Sequence, residues 1–424
     1  VTVTASTRSC PDCAAPIDAD PRFVDWCPDC EWNLGASEPR GRWRRYRRTR
    51  DRARVERLYA GLLGAPTGQR RWSLAWIGAL VLAAFVHAWT LAIVVGSAWL
   101  LLKGYLVLKL AGATGLGLAY LLRPRFGRWK ADALALPRAG APQLYALADR
   151  IADELGTRRP DRIRVNGGYN ASYGRLGVRR RVQLTVGMPL WTALTPQERI
   201  ALLGHELGHG SNGDVRRGLW LGLALNSLAE LHQVLMPHRG DAWRVRSART
   251  RMMDELVTFL LQICALPVRL CWTVLNRLTQ LSSQQAEYLA DEMAARVGSA
   301  SAAGAMLDKL SLAEVATARL RQRRAAGGHH GLAKAGDVEE ELWTGLREYL
   351  DSVPAGERER RRRLSDREMT AVDVSHPPTH LRVRLHAERP QQPAAVTAQS
   401  VQWAAIETEL EPARRRVARE ILGH

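Results

Sequence analysis

The chain has 424 residues, 46% of them hydrophobic and only 6% aromatic, with a formal net charge of +19. That length accommodates two or three domains with a sizeable core, and a charged fraction of 24% excludes wholesale disorder. A mean hydropathy of -0.21 excludes a chain embedded in a membrane throughout, although an average conceals any single apolar block. The excess charge, nearly all arginine, calls for an anionic neighbour, either nucleic acid or lipid headgroups.

The first segment reads Cys10-Pro-Asp-Cys13, thirteen residues, then Cys27-Pro-Asp-Cys30. Two such knuckles supply four thiolates to one tetrahedral zinc, and each Pro favours the tight turn that aims backbone amides at sulfur. The polar, Cys-bearing start lacks the basic-then-apolar pattern of a secretory signal, so a reducing compartment and metal binding are expected rather than disulfides. Residues 1–38 are read as a zinc ribbon. A closed four-Cys site leaves no open position for catalysis, so its role is structural or the docking of a protein partner.

An Arg-rich segment, residues 39–71, follows, with its densest tract from Arg40 to Arg57. Such a run cannot bury itself. Next to it, residues 72–122 carry no charge from Ser73 to Leu102, and only Lys103 and Lys109 between Arg71 and Arg123. A spanning helix needs about twenty apolar residues, so the block fits two spans with a turn near Gly96-Ser97. A single span with an interfacial second segment is the alternative. Trp72, Trp76 and Trp99 suit interfacial belts, and basic flanks on both sides place both ends in the cytoplasm. Lys109 is expected deep in the second span, at a cost of about 2.5–3.5 kcal/mol unless it snorkels. The apolar neighbour makes membrane lipids the partner of the arginines, and nucleic acid is not expected.

From Arg123 the pattern is globular. Pro142 to Leu155 has helical periodicity, and Arg162–Val165, Ala171–Leu176 and Arg181–Val186 read as short strands. Thr195-Pro196-Gln197-Glu198 is a helix start with an N-cap, a Pro at the first position and a capping-box acid. The helix it opens holds His205-Glu206-Leu207-Gly208-His209. Two His four apart project from one helical face and can share a zinc, and Glu206 can act as general base toward an activated water. A catalytic zinc wants a third protein ligand. Asn212 and Val215 stand where a metzincin needs Gly and His, so a downstream acid is required. Glu230 is one candidate. Glu287 is favoured, because Asp291 lies four residues on, on the same helical face, where it can orient a His ligand or an Arg.

These residues resemble the HtpX-like and CAAX-prenyl-protease-like group of membrane-bound zinc metallopeptidases. The resemblance rests on His205–His209 followed by Gly213-Asp214, on Glu287-Tyr-Leu-Ala-Asp291, and on Ser375-His376-Pro377-Pro378-Thr379 with Arg382. Asn170-Ala171 ahead of Gly174, and Leu184-Thr185-Val186-Gly187, resemble the edge-strand segments before the active-site helix. The resemblance, which spans roughly Pro142 to Leu385, implies a predominantly helical α+β fold and a zincin-type domain with a small antiparallel sheet. The residue pattern bounds that domain at 123–388 and puts a linker, marked by Pro390 to Pro393, and a short helix over 389–424. It implies that His205, His209 and Glu287 bind zinc, that Glu206 activates water, that His376 stabilises the oxyanion, and that Asp291 pairs with Arg382. The segment around Leu184, Thr185, Val186 and Gly187, with Asn170 and Ala171, would take an extended polypeptide by β-augmentation.

Two departures are visible. Gly218–Met236 and Glu255–Leu281, where relatives often have spans, are interrupted by charge, so helices packed on the protease domain or lying on the membrane are expected. Cys264 and Cys271 are expected in the core, His329-His330 in a mobile loop, and Glu357–Arg363 on a solvated element. The reading is a membrane-anchored zinc endopeptidase with one catalytic and one structural zinc, in the cell membrane with its catalytic domain cytoplasmic, acting on membrane or precursor polypeptides. The rival is a zinc-ribbon regulatory or nucleic-acid-binding membrane protein with a vestigial protease domain.

Overall fold

The computed structural model describes residues 6–35, 41–63, 74–123, 129, 132–177, 179–211, 217–236, 248–326, 335–368, 377–391 and 393–423. In chain order, strands β1 (Ser6–Ser9) and β2 (Pro16–Ala19) precede helices α1 (Arg42–Leu63), α2 (Leu74–Lys103) and α3 (Leu106–Leu122). A mixed segment follows: β3 (Ala135–Leu136), α4 (Pro142–Glu154), β4 (Arg162–Asn166), β5 (Ala171–Leu176) and β6 (Arg181–Gly187). The rest is helical: α5 (Met188–Ala193), α6 (Pro196–Ser211), α7 (Arg217–Leu235), α8 (Ala248–Gly298), α9 (Ala300–Leu310), α10 (Ala313–Ala326), α11 (Ala335–Asp351), α12 (Ala355–Glu368), α13 (Thr379–Glu388) and α14 (Ser400–Leu422). The fold is thus mostly helical with small sheets, as the sequence implied.

The chain divides into two compact units, one from residues 1–69, 128–212 and 284–424, the other from 70–127 and 213–283. In the first, a sheet of order β3-β4-β6-β5 packs with α4 and α6 around a core that includes Leu147, Ile151, Ile163, Leu184, Trp191 and Ile200. The sheet is mixed rather than wholly antiparallel. β5 skips one place from β4, and β6 returns into the gap, antiparallel to β5 and parallel to β4. The C-terminal helix is not a short appendage. Trp403, Ile406, Leu410 and Val417 recur at helical spacing and are buried in this core.

The ribbon belongs to the same unit and seats against α12. Arg360 is buried with Glu357 and donates to the Leu34 carbonyl at 3.0 Å, while Arg363 lies over the Trp26 ring and donates to the Pro28 carbonyl. Arg22 reaches Ser352 at 2.7 Å. The charge run expected on a solvated element is therefore half internal, because the ribbon supplies acceptors for it. α1 is likewise not wholly solvated: Val55 and Tyr59 pack with Tyr288, Leu381 and Leu385.

In the second unit, Trp76, Ala79, Ala83 and Val86 of α2 pack with Leu221, Ala224 and Leu228 of α7 and with Leu275 of α8. The two segments expected either on the protease domain or at the membrane surface thus belong to the unit of the apolar hairpin. Among the described residues two helical stretches are long and apolar enough to cross a membrane, Leu74–Lys103 and Val257–Gln280. The second was not expected as a span; Arg269 and Arg277 are too few to lower its mean hydropathy below 1.7. Cys264 is exposed and is not a core residue, whereas Cys271, half-buried, packs against the cluster around Trp76. The hairpin turn falls at Gly104-Tyr105, not at Gly96-Ser97. Ser97 is a packing residue: a Cβ on Gly112 would stand 2.8 Å from its carbonyl, and one on Gly115 2.2 Å from its hydroxyl. With the turn moved, Lys109 sits exposed in the first turn of α3 rather than deep in a span.

Candidate metal centre

Helix α6 forms where the sequence placed it. The Thr195 amide donates to Glu198 Oε2 at 2.7 Å, closing half of the capping box, and Glu198 also holds Lys309 at 2.8 Å. From Glu198 to Gly208 the helix is buried. Its last turns lie against the C-terminal part of α8 along a seam of small residues. A Cβ on Gly204 would stand 2.2 Å from Val297 Cγ2 and 3.3 Å from Ala294 Cα, and one on Gly208 3.0 Å from Met293 Cβ and 3.2 Å from Ala290 Cα. A Cβ on Gly298 would meet the Ala201 backbone at 2.8 Å. Only glycine allows the two backbones so close, and that closeness brings the α8 acids to the α6 histidines.

His205 Nε2 lies 3.5 Å from Glu287 Oε2, and His209 Nε2 lies 3.6 Å from Glu287 Oε1. The donor atoms of His205, His209 and Glu287 all fall within 4.8 Å of one another. Two ligands about 2.05 Å from a tetrahedral zinc are about 3.3 Å apart, so N/O donors at these separations fit that ion. Glu206 is buried on the same helix. Behind the ligands, Asp291 Oδ1 lies 3.0 Å from His205 Nδ1, and Arg382 grips Asp291 in two hydrogen bonds of 2.6 and 2.7 Å. Arg382 Nη2 also stands 3.7 Å from Glu287.

The electrostatics follow from burial working against these pairs. Burial opposes charge on His205, but Asp291 and Glu287 outweigh it and raise its pKa to about 10. Burial, then the charge of His205, lowers His209 to about 4. Burial favours the neutral form of Asp291, yet Arg382 prevails and holds its carboxyl well below the usual range. Asp291 therefore stays ionised beside His205 Nδ1, and this contact sets the ring so that Nε2 faces Glu287.

The four N-terminal cysteines form the second group whose atoms converge. Cys10 Sγ lies 3.6 Å from Cys30 Sγ, and Cys13 Sγ 3.6 Å from Cys27 Sγ, against about 3.75 Å for two thiolates on tetrahedral zinc. The two knuckles share one geometry. Cys10 and Cys27 each donate to the carbonyl five residues on and accept from the amide four residues on. The residue after each second cysteine, Ala14 or Glu31, is left-handed, with φ of 61° or 60°. The backbone amides of Cys30 and Asp29 lower the Cys27 thiol to about 7, whereas at Cys30 the Trp32 amide is outweighed by burial and the neighbouring thiols, which push it up to about 12.

The other expected site residues separate. Glu230 is on α7, in the other unit, and is not in the ligand group. Leu184, Thr185, Val186 and Gly187 lie on β6, an interior strand with β4 on one side and β5 on the other, so they cannot accept a polypeptide edge to edge. Leu184 and Val186 fill the core, and Gly187 is tied to packing: a Cβ there would stand 1.8 Å from the Gly168 carbonyl. The edge is β5, which begins at Ala171 beside the exposed Asn170. Gly187 donates to Asn170 at 2.8 Å, and this register turns the backbone groups of Ala171, Tyr173 and Arg175 away from β6. β5 also packs on α6: a Cβ on Gly210 would meet the Tyr173 hydroxyl at 2.9 Å. His376, the loop of His329 and His330, and Gly213-Asp214 lie outside the described residues.

Sequence reasoning missed the glycine seam. Its signal was present as small residues four apart, Gly204 and Gly208 on one helix and Ala290, Ala294 and Gly298 on the other.

Comparison with known proteins agrees with this geometry. Residues 139–389, more than half of the chain, match the model of peptidase family M48. "Protease HtpX homolog 1" of Sulfurisphaera tokodaii is 34% identical over 95 residues, which cover 22% of this chain and 30% of that protein. The chain thus spans less than a third of the length of the curated relative it matches. No solved structure matches. By the extent of the family match, and with its HExxH helix and downstream glutamate converging, the chain belongs to peptidase family M48.

Proposed function

We propose that the chain is a membrane-anchored zinc endopeptidase that hydrolyses peptide bonds of membrane or precursor polypeptides. The observation that carries this is the convergence of His205, His209 and Glu287 at the spacing of a tetrahedral ion, with Glu206 on the same helix. Zinc, when bound, supplies a Lewis acid that polarises the scissile carbonyl and activates a water. Glu206, buried on the ligand helix, would take the proton of the attacking water and pass it to the departing amine. Asp291 fixes the His205 ring, and Arg382 fixes Asp291, so the ligand set stays aligned while charge develops. The outward backbone groups of Ala171, Tyr173 and Arg175 on β5 align the polypeptide as an added strand, a role moved here from β6. His376 is assigned to the oxyanion from the sequence motif alone.

Anchoring is supported by the two apolar helical stretches and by their outward faces, which expose Phe85, Trp89 and Leu91 on α2 and Phe259, Leu266 and Leu270 on α8. The basic flanks of the hairpin favour a cytoplasmic catalytic unit. The cysteine group is assigned a second, structural zinc. Replacing Glu206→Gln tests the mechanism: it should leave zinc content unchanged and abolish cleavage of a denatured membrane-protein substrate. Undiminished cleavage by that variant would sink the assignment.

A further inference from the structure

Between residues 157 and 187 the chain carries eight arginines and one acid, Asp161, a net +7 out of the +19 of the whole chain. The fold gathers several of them at one end of the sheet. Because β4 and β6 are parallel, Arg162 at the start of β4 and Arg181 at the start of β6 share that end. The turn from β5 to β6 lies there too, closed by the Arg180 amide donating to the Gly177 carbonyl at 3.0 Å. Arg179 is exposed on this turn, and Arg180 is left-handed at φ 50°, a conformation in which Gly or Asn is cheaper. The turn alone does not ask for arginine at that position. Among the described residues, Asp161 accepts from Val182 at 2.7 Å and from Arg158 at 3.1 Å, and Asp132 is paired with Arg164.

Trp129 joins this end. The Arg162 and Arg181 guanidinium carbons lie 3.7 and 5.1 Å from its ring centroid. In the chain, Trp129 comes seven residues after Leu122, the last residue of α3, among Arg123, Arg125, Arg128 and Lys130. An indole set among cations directly after an apolar helix is the composition of a membrane interface, where the ring sits at headgroup level and each cation attracts anionic lipid.

We propose that this end of the sheet, Trp129 with Arg162, Arg179, Arg180 and Arg181, is a docking surface for anionic lipid headgroups, distinct from Arg-rich α1. It rests on the membrane reading above and adds a function to the β5–β6 hairpin. The free edge of β5 belongs to that same hairpin, so docking its tip holds the edge at the lipid–water boundary, where a polypeptide leaving the bilayer first becomes available.

The test uses the full chain in nanodiscs of neutral phosphatidylcholine, or of the same lipid with about one third phosphatidylglycerol, followed by amide hydrogen exchange of residues 171–182. Exchange at the turn should slow about tenfold in the anionic discs, and the difference should vanish at high salt. Arg179→Gln/Arg180→Gln, which leaves the Trp129 contacts in place, should cancel the difference while α6 exchanges as in the parent. Trp129→Ala should reduce it. Equal exchange in both disc types overturns the proposal. Slowing by an acidic peptide or a single-stranded oligonucleotide in neutral discs, without any response to phosphatidylglycerol, overturns it in favour of those partners. Failure of the chain to enter either disc refutes the membrane reading itself and the proposal with it.

Discussion

Replacing Gly204 with alanine is the sharpest probe of how the metal centre is assembled. In an unencumbered helix Gly→Ala stabilises by about 1 kcal/mol. Here the new methyl would stand 2.2 Å from Val297 Cγ2 and 3.3 Å from Ala294 Cα, where ordinary contact is 3.4–4 Å. Val297 is fully buried in a close-packed core, so the methyl is expected to part α6 and α8 by about 1 Å. Overpacking of this kind costs about 1–3 kcal/mol, which leaves a net loss of about 0–2 kcal/mol after the helical gain. The larger effect falls on the ligands. Parting the helices by 1 Å would stretch the 3.5 Å His205–Glu287 spacing to about 4.5 Å, beyond the tetrahedral edge of about 3.3 Å. Zinc affinity, measured by chelator competition, should fall about 10–100-fold, with Tm lowered by a few degrees. Gly208→Ala, with contacts of 3.0 and 3.2 Å, should fall between Gly204→Ala and the parent. Gly345→Ala on α11, with nothing within 4 Å, should be neutral or stabilising. Val297→Ala added to Gly204→Ala should restore zinc binding. A Gly204→Ala chain that binds zinc and melts like the parent would refute the seam as the device that sets ligand spacing.

Two further expectations concern the metals. The parent should hold two zinc ions per chain and Cys10→Ser one, by atomic emission on purified protein; two ions in the variant would contradict the cysteine assignment. In the Cys10→Ser chain, where only the helical site remains, zinc binding should release a proton. His205, raised to about 10, carries one at neutral pH, whereas His209, lowered to about 4, does not. The apparent affinity should therefore rise about tenfold per pH unit between neutrality and pH 10 and level off above it. A flat profile over that range would contradict the assigned protonation state.

Much of the chemistry was legible because it is local. A capped helix with two His four apart, an acid pair four apart on α8, and two CPDC knuckles each occupy one element, and periodicity alone places their side chains. What escaped depends on partners far away in the chain. Strand lengths are readable from alternation, but the order β4-β6-β5 is not, so an interior strand was mistaken for an edge. Gly96-Ser97 looks like a turn until α3 is laid against it; its small side chains then turn out to be a packing surface. The Arg-rich α12 reads as solvated because the ribbon that buries part of it lies more than three hundred residues earlier.

That last contact has a consequence for synthesis. Leu34 and Arg360 are separated by 326 residues, so at ribosomal rates of about 5–20 residues per second the ribbon waits about 16–65 s for the helix that receives it. During that interval the ribbon must hold its shape unaided. Its knuckles are suited to the wait, since their backbone hydrogen bonds and left-handed closing residues lie within a few positions of the cysteines they serve. The ribbon is thus equipped to hold its shape, and to take up a metal, in the interval before the helix that seats it has been made.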